Sequence, residues 1–352
     1  MKEISFIENI RNRSNTGSQI KWKIKDKWYK IDDFNYEGLS ETIVSDMLKT
    51  SNVEKYAIYE PEEIKYKGVV YSGCVSDNFL SNDEILIEAS LALKRAKIDT
   101  DNLTIQEFIN AVKKLTGLND FDKYLTKMYE LDQIILNTDR HYSNIAILQT
   151  TYGFDYAPFF DQGRAFALRD DLWNSGKTPE EIIESVDPRL HIGNFEKQTK
   201  ELEELSGGKF LELTYTKDDL RKTLDKCSFA YSDEILKRAE TIVSLQIDKN
   251  IEYFKGDAKD QLWNNIKQKI NKNLVMKFDF KENGHFLSAI PQGESEISFS
   301  IDTKGKITPL NNGSPTTDEA LIFNHSGMFD TYRRLYYAIQ EDKTYEEKEL
   351  QI

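Results

Sequence analysis

In Leu136-Asn137-Thr138-Asp139-Arg140-His141-Tyr142-Ser143-Asn144-Ile145-Ala146-Ile147-Leu148 a helical pattern ends, polar residues crowd a loop, and an apolar strand begins. A hairpin about Gly153 then returns the chain to Phe159-Phe160-Asp161-Gln162-Gly163. Asp139, Asn144 and Asp161 can therefore converge at one end of that hairpin. Phosphoryl transfer asks for such a set: one carboxylate to orient the attacking hydroxyl and take its proton, and a carboxylate with an amide oxygen to hold Mg²⁺ against nucleotide phosphates. Hard oxygen ligands suit magnesium, and the stretch has no soft ligand for zinc or copper.

Upstream, residues 83–97, 104–115 and 121–136 each carry apolar side chains at three-and-four spacing and predict a helical lobe. Thr100, Asp101, Asn102, Gly117 and Asn119 separate them as turn and cap residues. Residues 1–73 read as β-rich. Ile20, Trp22 and Ile24 alternate with Lys21, Lys23 and Lys25, Lys25-Asp26-Lys27 is a turn, and Trp28-Tyr29-Lys30-Ile31 is the return strand. Leu39, Ile43, Val44, Met47 and Leu48 then predict a helix over 37–48, with strands at 56–59 and 67–71 after it. This order makes an antiparallel sheet crossed by one helix. Downstream, Thr178-Pro179-Glu180-Glu181 is a helix start with cap, first-turn proline and returning glutamate. Helices are also predicted over 216–226 and 232–254. From residue 256 on, strands are expected in 274–280 and 296–301, turns at Glu282-Asn283-Gly284 and 311–315, a helix at 329–340, and a solvated tail over 341–349.

The chain has 352 residues, so two domains or one large two-lobed domain are expected. Hydrophobic residues make up 39%, enough for a sizeable core and too many for a disordered chain. No apolar run is long enough for a membrane helix, and no signal peptide follows Met1. The net charge of −13 argues against a direct nucleic-acid partner and against docking on an anionic membrane. Cys74 and Cys227 fit no metal spacing, which predicts a reducing, cytoplasmic setting without disulfides.

The string Asn137-x-Asp139-Arg140-His141-x-x-Asn144 followed by Phe160-Asp161-Gln162-Gly163 resembles the HipA-type bacterial serine/threonine kinases, over residues 10–255. That resemblance implies an α+β, bilobal, protein-kinase-like fold. A small antiparallel β-rich lobe (1–80) and a larger helical lobe (81–255) would precede a β-rich extension of unknown role (256–352). It implies ATP and Mg²⁺ as cofactors, Asp139 as catalytic base, and Asn144 and Asp161 as magnesium ligands, with Arg140 and His141 bracing the loop. Gln162 departs from the apolar middle residue of the protein-kinase Asp-Phe-Gly motif. Lys30 stands where the family places its phosphate-neutralising lysine, with Lys23 and Lys25 as rivals. Glu41 or Glu37 would hold that lysine, Glu41 lying within the helical pattern.

The same resemblance makes Ser14-Asn15-Thr16-Gly17-Ser18 the phosphate-binding turn, with Ser14, Thr16 and Ser18 as candidate autophosphorylation sites. Residues 74–78, including Val75, would be the hinge that pairs with adenine. Arg164, Arg169 and Arg189, in an activation segment over 162–190, are candidates for contacting phosphate or an acidic substrate, or are surface ion pairs. The expected partner is a protein with a serine or threonine acceptor. An antitoxin partner, or delivery into another cell, follows from the family setting. The chain begins almost at the phosphate loop, as in the shorter members, whereas the usual antitoxin contact uses a subdomain ahead of it. A lipid or small-molecule kinase and a nucleotide-holding pseudokinase are the alternatives.

Overall fold

Strands β1 (Lys2–Glu3), β2 (Arg13–Ser14), β3 (Lys21–Ile24) and β4 (Lys27–Ile31) lead into helix α1 (Glu37–Lys49), and β5 (Tyr59–Tyr66) and β6 (Val69–Asp77) follow. The structure is a computed structural model, and it describes residues 1–5, 7–9, 13–14, 19–81, 83–100, 103–191, 193–274, 276–283, 286–293, 297–302, 305–311, 314–315 and 326–340. The predicted turn at Glu282-Asn283-Gly284, parts of the 311–315 loop and the 341–349 tail therefore lie wholly or partly outside the described residues, as do Asp101 and Asn102.

These strands form one sheet in the order β1-β5-β6-β4-β3-β2. It is antiparallel except that β1 runs parallel to β5. The β3–β4 hairpin turns at Lys25, whose φ is +55°. Alternation places Trp22 inward, fully buried among Ile4, Ile31, Ile64 and Tyr66. The β5 and β6 strands start later and run longer than the sequence pattern predicts. Their outer ends are polar on one side, so the alternation fades where the ladder continues.

Helix α1 lies on β5 and β6 and buries Leu39, Ile43, Met47 and Leu48. Glycines set how close it comes. A Cβ on Gly38 would stand 2.5 Å from the Gly73 carbonyl carbon, and one on Gly73 would stand 2.1 Å from the Lys30 carbonyl oxygen. No side chain fits at either position, so the start of α1 rests directly on the backbone of the sheet.

Next come β7 (Ile85–Glu88), α2 (Ala89–Arg95), α3 (Ile105–Thr116) and α4 (Phe121–Ile135). The predicted helix over 83–97 is thus a strand followed by a short helix. Ile85-Leu86-Ile87 pairs with β8 (Ala146–Thr150), which in turn pairs with β9 (Gly153–Tyr156) about the expected Gly153 turn. Helix α4 packs on the later helix over Phe195–Ser206 and ends with Leu136 in the left-handed region at φ +52°. Short helices α5 (Asp170–Trp173) and α6 (Pro179–Glu184) follow, the latter with the predicted Thr178–Glu181 capping box. Then come α7 (Phe195–Ser206), α8 (Lys217–Cys227) and α9 (Asp233–Lys249).

The chain divides into two compact units, Met1–Gln246 and Ile247–Ile352. The second contains α10 (Asp257–Asn273), an antiparallel meander of β10 (Phe278–Asn283), β11 (Phe286–Pro291), β12 (Ile297–Asp302), β13 (Ile307–Asn311) and β14 (Ser314–Pro315), and α11 (Ser326–Gln340). Its core is built on Trp263, Ile270, Leu287, Phe299, Ile301 and Leu335. The fold is α+β: a curled sheet with one crossing helix, a helical part, and a C-terminal sheet.

Candidate active site

Lys30 stands on β4, where α1 crosses the sheet, and only 8% of it is exposed. Its ammonium group lies 2.9 Å from Glu41 Oε1, 3.3 Å from the Tyr59 hydroxyl and 3.8 Å from Asp161 Oδ1. Burial disfavours its charge, but Glu41, Tyr59 and Asp161 outweigh that and hold the group well above the ordinary lysine value. The rivals are elsewhere: Lys23 lies over the Trp28 ring, and Lys25 is exposed in the hairpin turn. Glu37 is also engaged elsewhere. It accepts the Phe34 N–H at 3.0 Å and lies 3.6 Å from Arg164, at the start of α1.

Glu41 has a second partner. Its Oε2 accepts the backbone N–H of Gln162 at 3.1 Å, so one buried carboxylate ties Lys30 to the segment that carries Asp161. Asp161 sits in the left-handed region at φ +63°, which Asp tolerates better than most residues. Its carboxylate is half exposed. Desolvation by the surrounding walls is outweighed by Lys30, Lys21 and Arg140, which hold it below the usual carboxylate range. Gln162 itself is buried, in the place where the protein-kinase motif has an apolar residue.

The loop after α4 is braced from below. Arg140 is 2% exposed and grips Asp132 of α4 through two bonds, Nε to Oδ2 at 2.7 Å and Nη2 to Oδ1 at 2.9 Å. Its Nη1 donates to the Asn144 carbonyl, and Asn137 donates to the same Asp132. The Asn144 side chain closes the loop on itself: Nδ2 donates to the Asp139 carbonyl at 2.8 Å and Oδ1 accepts the His141 N–H at 2.8 Å. His141 Nδ1 accepts the Ser143 N–H, so in the neutral ring the proton is on Nε2, which lies 4.0 Å from Asp139 Oδ2. The other oxygen of Asp139, Oδ1, is paired with Arg189.

Lys30, Asp139 and Asp161 all line one cleft of about 590 Å³, within the range of small-molecule sites. Its walls also include Lys21, Gln19, Trp28, Phe79, Leu80 and Phe160. Lys21 sits directly opposite Lys30 in the β3–β4 ladder. Burial and then the Lys30 charge push its ammonium group below the ordinary lysine value.

The hinge differs from the sequence reading. Residues 74–77 belong to β6, where Val75 is paired with Tyr29 on one side and Glu60 on the other, and Val75 does not line the cleft. The chain leaves the sheet after Asp77; of the predicted segment 74–78, Ser76 and Asn78 line the cleft, and Phe79 and Leu80 beyond it do so too. Asn78 fixes this exit, its N–H donating to the Asp26 carbonyl and its side-chain amide to the Leu80 carbonyl. Cys74 is fully buried, and burial pushes its thiol far up, so it is inert. Asn15, Thr16, Gly17 and Ser18 lie outside the described residues. Ser14 is placed only as backbone, opposite Lys21.

Sequence reasoning missed Asp132, Tyr59 and the Arg189 contact. Asp132 left a readable signal, an acid set between Leu131 and the apolar run Ile134-Ile135-Leu136 at the buried end of α4. Of the other arginines of 162–190, Arg164 lies over the Phe34 ring beside Glu37, and Arg169 pairs with Asp171. Among the described residues no three His, Cys, Asp or Glu side chains gather as a metal site, and no helix is long and apolar enough to cross a membrane.

No family model matches the chain, and no curated protein matches it. Solved structures do. One is the Helicobacter pylori proinflammatory kinase CtkA, at 11% identity and a TM-score of 0.47, covering 71% of this chain and 94% of that one. Another is HipA of a Shewanella oneidensis MR-1 toxin–antitoxin system, solved with HipB and operator DNA. Its identity is 12% and its TM-score 0.35, and the match covers 68% of this chain and 58% of HipA.

Proposed function

We propose that the chain is an ATP- and Mg²⁺-dependent kinase that phosphorylates serine or threonine hydroxyls of proteins. One observation carries the reading. The buried Lys30–Glu41 pair, the ionised Asp161 beside it and the loop carboxylate Asp139 face a single cleft that also has aromatic walls. A nucleotide asks for this combination, with apolar surface for a base and fixed positive charge for phosphates.

Magnesium fits the donors present. Asp161 is a hard, half-exposed, ionised oxygen donor on the cleft; Asn144 is 3% exposed and does not line it, but among the described residues its amide oxygen accepts one hydrogen bond, from the His141 N–H, and keeps a lone pair. Mg²⁺ commonly takes one or two protein carboxylates plus phosphate oxygens. Asp161 and Asn144 would hold it, and bound there it would neutralise charge on the phosphates. Lys30, kept cationic by Glu41, pairs with phosphate oxygens. Asp139 orients the acceptor O–H and takes its proton. The acceptor oxygen forms a bond to the γ-phosphorus as the bond to the leaving ADP oxygen breaks.

The acceptor includes the chain's own Ser14, Thr16 or Ser18 in this proposal, and the setting is cytoplasmic, with an antitoxin or a recipient cell as further context. Incubation of the purified chain with [γ-³²P]ATP and Mg²⁺, alone and with casein, tests it. Label is expected on protein and is expected to vanish in Asp161→Ala. Wild-type labelling in folded Asp161→Ala or Asp139→Asn overturns the assignment, and label on lipid alone replaces the acceptor class.

A further inference from the structure

Asp139 has two oxygens in different surroundings. Oδ1 is paired with the Arg189 guanidinium. Among the described residues no hydrogen bond reaches Oδ2, and the His141 ring nitrogen Nε2 lies 4.0 Å from it. A carboxylate on a half-exposed loop turns freely about its last bond unless one oxygen is held. Here one is held and the other is presented.

The holding residue is rigidly mounted although its side chain is exposed. Arg189 follows Pro188, whose ring fixes φ. The carbonyl of Leu190 accepts a bond from the buried Gln198 amide of α7. The ring of His191 lies edge-on to Tyr142 of the loop, at 6.1 Å, and 6.2 Å from Tyr129 of α4. Burial lowers the His191 pKa to about 4, so this anchor is a neutral ring at neutral pH. The backbone just after Arg189 is thus fixed against the structure that carries Asp139. An ion pair this exposed contributes little to stability, so its geometry is what matters.

We propose that Arg189 is a positioning residue for the transfer: it holds Asp139 by Oδ1 so that Oδ2 is the oxygen presented to the acceptor hydroxyl. This rests on Asp139 being the base of the proposed reaction. Arg189 does not line the cleft, and in this proposal it acts through Asp139 alone. Its loss should therefore slow the transfer step without weakening nucleotide binding.

The test uses the full chain, [γ-³²P]ATP with Mg²⁺, and two acceptors, the chain itself and casein. Arg189→Met, Arg189→Lys and Asp139→Asn are compared with the wild type, and circular dichroism and thermal melting verify folding. Arg189→Met is expected to lower kcat about 10²-fold, the cost of a misplaced catalytic group, with KM for ATP unchanged. Arg189→Lys, which restores a cation at Oδ1, is expected to recover most of that loss. The proposal is overturned if Arg189→Met transfers at the wild-type rate or faster, if its defect is in KM for ATP, or if Arg189→Lys is as slow as Arg189→Met. Wild-type rates in Asp139→Asn, or no transfer by the wild type, overturn the underlying assignment instead.

Discussion

The Glu41 carboxylate reaches the backbone of Gln162: Oε2 accepts its N–H at 3.1 Å while Oε1 keeps the Lys30 ammonium at 2.9 Å. Helix α1, strand β4 and the Asp161 segment are thus joined at one side chain.

Glu41→Gln removes the shared negative charge and leaves one acceptor oxygen where there were two, so it can keep at most one of the two connections. It leaves the buried Lys30 charge short of its counter-ion, which costs about 3–5 kcal/mol when one partner of a buried pair is removed. Urea denaturation is expected to show that loss, and phosphate transfer should fall by about 10²-fold as Lys30 and Asp161 shift together. Unchanged stability and transfer would mean that the shared carboxylate has no such role.

Asp32 gives a pH signature. Burial, with the neighbouring Glu37 charge, raises its pKa to about 7, although Gly38 N–H donates to it. The folded state therefore holds a proton that the unfolded chain releases near pH 4. The resulting stability is complete below pH 4 and drains away as pH rises toward 7, by up to about 1.4 kcal/mol per pH unit. Relative to Asp32→Asn, the wild type should lose stability between pH 4 and 7, read from denaturation midpoints. A constant difference across that range would refute the shift.

Arg140→Lys removes the two-pronged grip on Asp132, which a single ammonium group cannot reproduce. The melting temperature should drop, with a cost of about 3–5 kcal/mol as an upper range, because Lys retains part of the pairing. Proteolysis should then cut the 137–144 loop faster. Wild-type resistance would show that other contacts suffice to hold the loop.

Gly73→Ala should be harmful although β6 is regular there. The added Cβ meets the Lys30 carbonyl oxygen at 2.1 Å, so β4 or β6 has to move. A loss of about 1–3 kcal/mol is expected from such overpacking, together with reduced transfer. Equal melting and activity in the variant would contradict the contact.

Legibility followed sequence distance. The β3–β4 hairpin and α1 were readable because period two and period three-to-four are local patterns. The β8–β9 turn was readable from Gly153. Ile85-Leu86-Ile87 misled because a short apolar run has no period of its own, and its partner β8 lies some sixty residues on. The pairing of β1 with β5 was invisible for the same reason. At the candidate site, the types and spacing of Asp139, Asn144 and Asp161 were visible in the string itself. Lys30 and Glu41 were favoured over Lys23 and Glu37 by their places at the end of the second strand and inside the helical pattern, while their contact depends on which faces meet. The end of β6 was misread because nothing local marks that the strand runs on to Asp77, and Arg189 meets Asp139 only through tertiary packing.

The burial of Arg140 has a consequence for control. An arginine with its guanidinium spent on Asp132 and the Asn144 carbonyl, and 2% exposed, cannot dock a phosphorylated side chain arriving from a neighbouring segment. A covalent on-signal read by the loop arginine is closed to this molecule. Any incoming phosphate would have to be received at solvent-facing cations instead.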